Sequence, residues 1–290
     1  MMIKSRLIPK RVSYLLSFLF CFIGEINSGE NEILKKKEAS MELKQQTIGI
    51  IGGVSWESTV FYYKLINELI REQLGGLNSA KILMYSLNYE NIVQLELDNK
   101  WDEVGTQLGI AARSLQDGGA DFIILCCNTL HKVAPQIESA ISIPFLHIAD
   151  PIGSVLVNHQ MRRVGLLGTQ FTMEEGFYSS HLEDKFGLEI IVPDLNSRKI
   201  LDHIIYQELC QGKVLSQSKD QIIQIIQSLQ KEGIEAVILG CTELGMLIKS
   251  DDLPIPVYDT TVLHAKEAVN KSLYYTQTTS KLGFSAAPKH

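Results

Sequence analysis

The chain has 290 residues, 45% hydrophobic and 21% charged, which is soluble globular composition with length enough for two separate cores. Its net charge of −6 becomes −9 once residues 1–40 are set aside, so no basic stripe remains to suggest a nucleic-acid partner. Five cysteines, an odd number, do not read as a disulfide framework and leave thiols free for chemistry.

Residues 1–40 form a leader that stands outside the fold. Lys4, Arg6, Lys10 and Arg11 precede an apolar run over 12–23, the order of charge and hydrophobicity found in a secretory signal peptide. The run is short for a membrane span, so no stable membrane insertion is expected. Ile26-Asn27-Ser28 lacks the small-x-small pattern of a cleavage site, and Met41 is an equally good start six residues before the first strand. The expected location is the cytoplasm, with the periplasm as the alternative if residues 1–28 are a genuine signal.

Residues 47–51 are an apolar run ending in Gly52-Gly53 and read as a buried parallel strand. Ser55 is a helix N-cap, and 59–74 carries apolar residues at helical spacing. A strand over 81–87 and a helix over 101–117, closed by Gly118-Gly119, come next. Residues 121–126 form a third strand, Asn128 or Thr129 caps a helix running through 138, and 144–148 is a fourth strand. The second half repeats this alternation. Strands are expected over 164–167, 189–192, 236–239 and 257–258, and helices over 173–186, 197–211, 220–232 and 261–273. Alternating strands and helices give an α/β fold with parallel sheets.

The two halves also repeat in sequence. Thr47-Ile48-Gly49-Ile50-Ile51-Gly52-Gly53 is echoed by Arg163-Val164-Gly165-Leu166-Leu167-Gly168-Thr169. Leu125-Cys126-Cys127-Asn128-Thr129 is echoed by Leu239-Gly240-Cys241-Thr242-Glu243, and Ile143-Pro144 by Ile255-Pro256. The copies are separated by 112 to 116 residues, a domain-sized period that implies two pseudo-symmetric lobes with the active site in the cleft between them. The expected divisions are the leader 1–40, a first lobe 41–154, a second lobe 155–262, and a closing helix and tail 263–290.

Ligands of open parallel sheets bind beyond the carboxyl ends of strands, and Cys127 and Cys241 both fall at such ends. A cysteine is more often an inert core residue. Two cysteines at equivalent points of a duplicated frame instead suggest a thiol on each face of one substrate. A helix N-terminus would lower the pKa of each. Asn128, Thr129 and Thr242 supply donors for a substrate carboxylate, or simply cap helices. Gly52-Gly53 and Gly168-Thr169 allow backbone to approach a ligand, with Thr169 as possible support. His131, four residues after Cys127, can tune the thiol or serve structure alone. Cys127, His131 and Cys241 lack strong metal spacing, so no metal is expected. Cys126 points to the opposite side of its strand and reads as core, while Cys210 and Cys21 have no such context. No dinucleotide fingerprint or Walker lysine is present, so binding of a phosphate-bearing cofactor is not expected.

Ile48–Thr59, with its Gly-Gly-Val-Ser-Trp-Glu-Ser-Thr stretch, resembles the aspartate/glutamate racemase family, as do Cys126-Cys127-Asn128-Thr129-Leu130-His131-Lys132, Leu167–Met173 and Gly240-Cys241-Thr242-Glu243-Leu244. The likeness runs from about residue 46 to about 268 and is greatest to the broad-specificity amino-acid racemase branch. It implies racemisation of a small amino acid, without pyridoxal phosphate or metal, by two cysteine bases, Cys127 and Cys241. Substrate binding would fall to Val54, Ser55, Asn128, Thr129, Thr242 and Glu243, and a homodimer is implied. Dedicated aspartate racemases of the family carry an arginine after the second strand, but residues 86–94 hold no arginine or lysine. They also carry a lysine where Cys210 follows Ile205-Tyr206. A buried carboxylate without a cationic partner is costly, so broad specificity reaching neutral side chains such as homoserine, with Asp or Glu as further candidates, is expected, with Asn91 as a side-chain contact. The alternatives are a non-catalytic amino-acid-binding protein, or a decarboxylase or isomerase on the same scaffold.

Overall fold

The computed structural model describes residues 41–277; the leader, Cys21 and the last residues of the tail lie outside the described residues. Two four-stranded parallel sheets carry the fold. The first is built from β2 (Ile48–Gly52), β3 (Ile82–Ser86), β4 (Phe122–Leu125) and β5 (Phe145–Leu146), in the order β3-β2-β4-β5. The second contains β6 (Arg163–Leu167), β7 (Glu189–Ile191), β8 (Ala236–Leu239) and β9 (Val257–Asp259), in the order β7-β6-β8-β9. The orders are identical once each strand is matched with its sequence repeat, so the duplication extends to topology. A seventh pairing lies apart from both sheets: β1 (Met41–Gln45) runs antiparallel to β10 (Leu273–Gln277).

Every residue of β2, β4 and β8 is buried, because helices cover both faces of each sheet and leave no polar side. Alternate side chains therefore enter different cores. In the first lobe Ile51, Ile123 and Leu125 pack against α3 (Trp101–Asp117) and α4 (Ala134–Ala140). Ile48, Ile50, Phe122 and Ile124, with Cys126 just beyond the strand, face α1 (Trp56–Leu74) and α11 (Thr260–Ser272) instead. In the second lobe Leu167, Val237 and Leu239 meet α8 (Leu195–Gln207) and α9 (Ser216–Lys231). Val164, Leu166 and Ile238 meet α5 (Ala149–Asn158) and α7 (Phe177–Phe186). Full burial of one such aliphatic side chain contributes roughly 1.5–3 kcal/mol.

The lobes exchange helices. The boundary expected at 154/155 falls inside α5, and that helix packs on the second-lobe core. The C-terminal α11 returns to the first lobe through Ala265, Ala268 and Val269. Its His264 is fully buried and accepts from Tyr62 Oη on α1 at 2.9 Å, while Nε2 donates to the Leu146 carbonyl at 2.9 Å. Chain therefore crosses between lobes twice, before α5 and again before α11.

Several expected elements differ in detail. The helix expected over 173–186 is two, α6 (Gln170–Glu174) and α7, broken where Gly176 takes φ 75°. The helix expected through 138 is a 3-10 turn, Thr129–Val133, followed by α4, and Asn128 makes no side-chain cap. The helix over 197–211 starts at Leu195 and gives way to a 3-10 turn, Leu209–Gln211. Two further helices are α2 (Tyr89–Leu97), capped by Asn88, whose side chain accepts from the Glu90 amide, and the short α10 (Leu244–Leu247). Among the described residues no helix is long and apolar enough to cross a membrane.

Candidate active site

The carboxyl ends of β2, β4, β6 and β8 converge between the lobes on a tight cavity of about 10 Å³, room for roughly one water. That is far below the roughly 300–1,000 Å³ of sites for drug-sized ligands. Cys127 and Cys241 both line it, one from each lobe, together with Val54, Asn128, Thr129, Thr169, Thr242 and Glu243. Tyr89, Ile205 and Cys210 complete the wall, and no arginine or lysine is among the lining residues.

Both thiols are held in their protonated form. Burial pushes the Cys127 thiol up, the Glu96 carboxyl adds to this, and backbone N–H groups of Leu130 and Thr129 oppose it. Burial likewise raises Cys241, and Glu243 beside it adds to the effect. This reverses the lowering expected from helix N-termini. Only a 3-10 turn follows Cys127, and desolvation of a thiolate outweighs the few amide dipoles it offers.

Glu243 is the polar centre of the second-lobe side. It is 4% exposed and accepts three hydrogen bonds: from Ser55 Oγ at 2.6 Å, Thr242 Oγ1 at 2.7 Å and Cys241 Sγ at 3.1 Å. Ser55 is thus both the cap of α1 and a strut between lobes, and it stands behind the cavity wall. On the other side Thr129 Oγ1 bonds Thr169 Oγ1 at 2.9 Å, and Thr172 Oγ1 lies 3.1 Å from Thr169. Trp101 meets Phe171 of the other lobe edge-on, with centroids 5.4 Å apart. Lys132 sits over the Trp101 ring at 3.8 Å and pairs with Glu175 across the cleft.

Other expected residues are placed differently. Asn91 is on the exposed face of α2, whereas Tyr89, Ile92 and Glu96 of the same helix point inward. Helical spacing turns Asn91 away from the cavity. His131 reaches the Cys127 carbonyl, not its thiol: Nδ1 donates there at 2.7 Å and Nε2 accepts from the Ile148 amide at 3.1 Å. Burial lowers its pKa, so it is a neutral structural residue. The glycines serve chain-on-chain contact rather than a ligand. A Cβ on Gly53, at φ 83°, would meet the Leu87 carbonyl at 2.2 Å, and one on Gly168 would meet the Gly240 carbonyl at 2.9 Å.

Glu96 is not singled out by the sequence, and Cys210 enters there only as the residue standing where the family's lysine would be. Glu96 is 3% exposed, and burial raises its carboxyl to about 7, with Glu175 adding and Lys132 opposing. Its signal was the inward face Tyr89-Ile92-Glu96 of an unrecognised helix. Elsewhere His147, Asp150 and His181 bring potential ligand atoms within 4.8 Å of one another. The Asp150 Oδ1 there already accepts from His181 Nε2 and Lys185 Nζ, each at 2.7 Å, and none of these residues lines the cavity.

The chain is 23% identical over 238 residues to the broad specificity amino-acid racemase RacX of Bacillus subtilis (strain 168), covering 79% of this chain and 99% of that one. The crystal structure of a candidate Asp/Glu racemase from Yersinia pestis is 43% identical, with a TM-score of 0.74, covering 78% of this chain and 99% of the other. That of an aspartate racemase homologue from Pyrococcus horikoshii OT3 is 34% identical, with a TM-score of 0.69 and the same coverage. The model of the Asp/Glu/Hydantoin racemase family matches residues 51–268, most of the chain. The chain therefore belongs to the Asp/Glu/Hydantoin racemase family.

Proposed function

We propose that this protein racemises free amino acids with Cys127 and Cys241 as its two acid–base groups and no cofactor. The observation that carries this reading is that equivalent strand ends of two like lobes deliver one thiol each to a single small cavity. One cysteine, as thiolate, removes the α-proton and becomes a thiol. The other, as thiol, protonates the opposite face of the planar carbanion and becomes a thiolate. The reverse reaction uses the reverse assignment. Positioned acid–base groups contribute roughly 10²–10⁴-fold, and donors around the carboxylate stabilise the negative charge that builds there.

A thiolate must first be made from thiols that burial keeps neutral. Glu243 accepts a hydrogen bond from the Cys241 sulfur at 3.1 Å, which places it to take the thiol proton. The substrate α-ammonium brings positive charge to the same space, which favours a thiolate. Glu243 therefore acts on the cysteine, in addition to the substrate contact that the family likeness gives it.

The wall formed by Tyr89, Ile205 and Cys210 offers no cation, so side chains without charge fit it best and a second carboxylate would be buried unpaired. Broad use of neutral amino acids such as homoserine follows. An amino-acid panel followed by chiral chromatography tests this, and turnover confined to aspartate would overturn it.

A second copy of the chain is the proposed partner. Trp56, Val60 and Tyr63 are exposed on one face of α1, and Met84 and Tyr85 on the edge strand β3. Light scattering that gave a monomer mass would reject the dimer. The proposed location is the cytoplasm, and N-terminal sequencing of the native protein would show whether residues 1–28 are removed.

A further inference from the structure

Asn128 follows Cys127 directly, lines the cavity and is 2% exposed, yet only one end of its amide is bonded. Nδ2 donates to Thr260 Oγ1 at 3.0 Å, while Oδ1 is buried with no hydrogen-bond partner. The direction of that bond is forced from the other lobe. Thr260 is fully buried at the start of α11, and its hydroxyl has a single proton. That proton goes to the Leu239 carbonyl at 2.8 Å, so the hydroxyl can only accept from Asn128. It therefore selects the NH₂ end of the amide and leaves the carbonyl end free. Leu239 is the last residue of β8, two before Cys241. One hydroxyl thus links the strand end that carries one cysteine to the side chain beside the other.

We propose that Thr260 is a positioning residue that locks the Asn128 amide with its oxygen available, so that Asn128 accepts from the substrate α-ammonium instead of donating to the carboxylate. This rests on the amino-acid reading above and sharpens it. A buried carbonyl oxygen without a donor is unfavourable, and an ammonium supplies up to three donors and no acceptor. A carboxylate supplies only acceptors and would meet Oδ1 as a like partner. The locked amide thereby selects for an α-amino group over an α-hydroxyl, which can donate or accept and is indifferent to amide orientation.

The test compares homoserine with its 2-hydroxy counterpart, 2,4-dihydroxybutanoate, by calorimetric binding and by turnover or inhibition, in the full chain. Thr260→Val keeps the shape and removes the hydroxyl. It is expected to cut the preference for homoserine over the hydroxy acid at least tenfold, through KM more than kcat, and Thr260→Ser is expected to restore it. Equal weakening of both ligands, unchanged preference, or no rescue by serine would overturn the assignment. Where Thr260→Val does not fold, Asn128→Ala reads the same split. An amide that donated to the carboxylate would weaken both compounds alike. Failure of the racemase reading is visible separately, as an absence of turnover of any amino acid by the unmodified protein while calorimetry still reports the preference.

Discussion

Ser55 Oγ and Glu243 Oε1, 188 residues apart, lie 2.6 Å from each other across the lobes, and the same carboxyl group receives the Cys241 thiol. The carboxyl group that fastens the lobes is thereby the one proposed to take the Cys241 proton. Glu243→Gln keeps the shape and much of the hydrogen bonding but cannot take up a proton. Its expected effect is a loss of about 10²-fold or more in kcat, the scale of a positioned acid–base group. Ser55→Ala removes the strut and one acceptor site is left unfilled, at a cost of about 1–3 kcal/mol in stability. Steady-state kinetics in both directions and thermal unfolding separate the two. An active Glu243→Gln enzyme would remove this carboxylate from the chemistry.

Glu96 gives the fold a pH dependence with a defined sign. Burial raises its carboxyl from 4.5 to about 7, so the native state favours the protonated form. The associated stability is complete below pH 4.5 and is lost as pH rises through about 7. The full effect is on the order of 3 kcal/mol, at 1.36 kcal/mol per pK unit. Glu96→Gln is expected to be more stable than the parent at pH 8 and to flatten the profile between these limits. Removal of this negative charge also eases ionisation of Cys127, which Glu96 opposes. Urea unfolding at pH 5 and pH 8 measures the first effect, and unequal gains for the two directions of racemisation at alkaline pH measure the second.

Side-chain selectivity should respond to charge at Cys210. This residue lines the cavity near Glu243 and Cys127, and burial raises its pKa, so it presents a neutral thiol to substrate. Cys210→Lys is expected to raise kcat/KM for aspartate relative to homoserine by tenfold or more. An unaltered ratio would place the substrate side chain against some other part of the wall.

The repeat of Thr47–Gly53 in Arg163–Thr169 and of Cys127 in Cys241 was sufficient to read two lobes of like topology, because parallel strands buried on both faces are near-continuous apolar runs. The helix exchange was not legible. Nothing in α5 or α11 marks which of two similar sheets each will cover, since both present ordinary apolar faces. The segments at 54–55, 127–129 and 241–243 do meet in space, but their mutual bonds involve partners such as Thr260 and Thr169 from distant segments. Glu96 and Asn91 illustrate the same limit within one helix: five positions apart on α2, they face opposite ways, and the helix itself was not recognised. The sign of the thiol shifts also depended on burial, a property of the assembled cleft rather than of local sequence.

The pairing of two sulfur bases is tested most directly by incubating one homoserine enantiomer in deuterium oxide and following both α-hydrogen exchange and chirality. The parent enzyme should form the opposite enantiomer with one deuteron on the α-carbon. Cys127→Ser and Cys241→Ser should each reduce that inversion at least a hundredfold in both directions. Inversion without deuterium uptake, or substantial activity in either serine variant, would contradict a mechanism in which thiols on opposite faces exchange a proton with the same carbon.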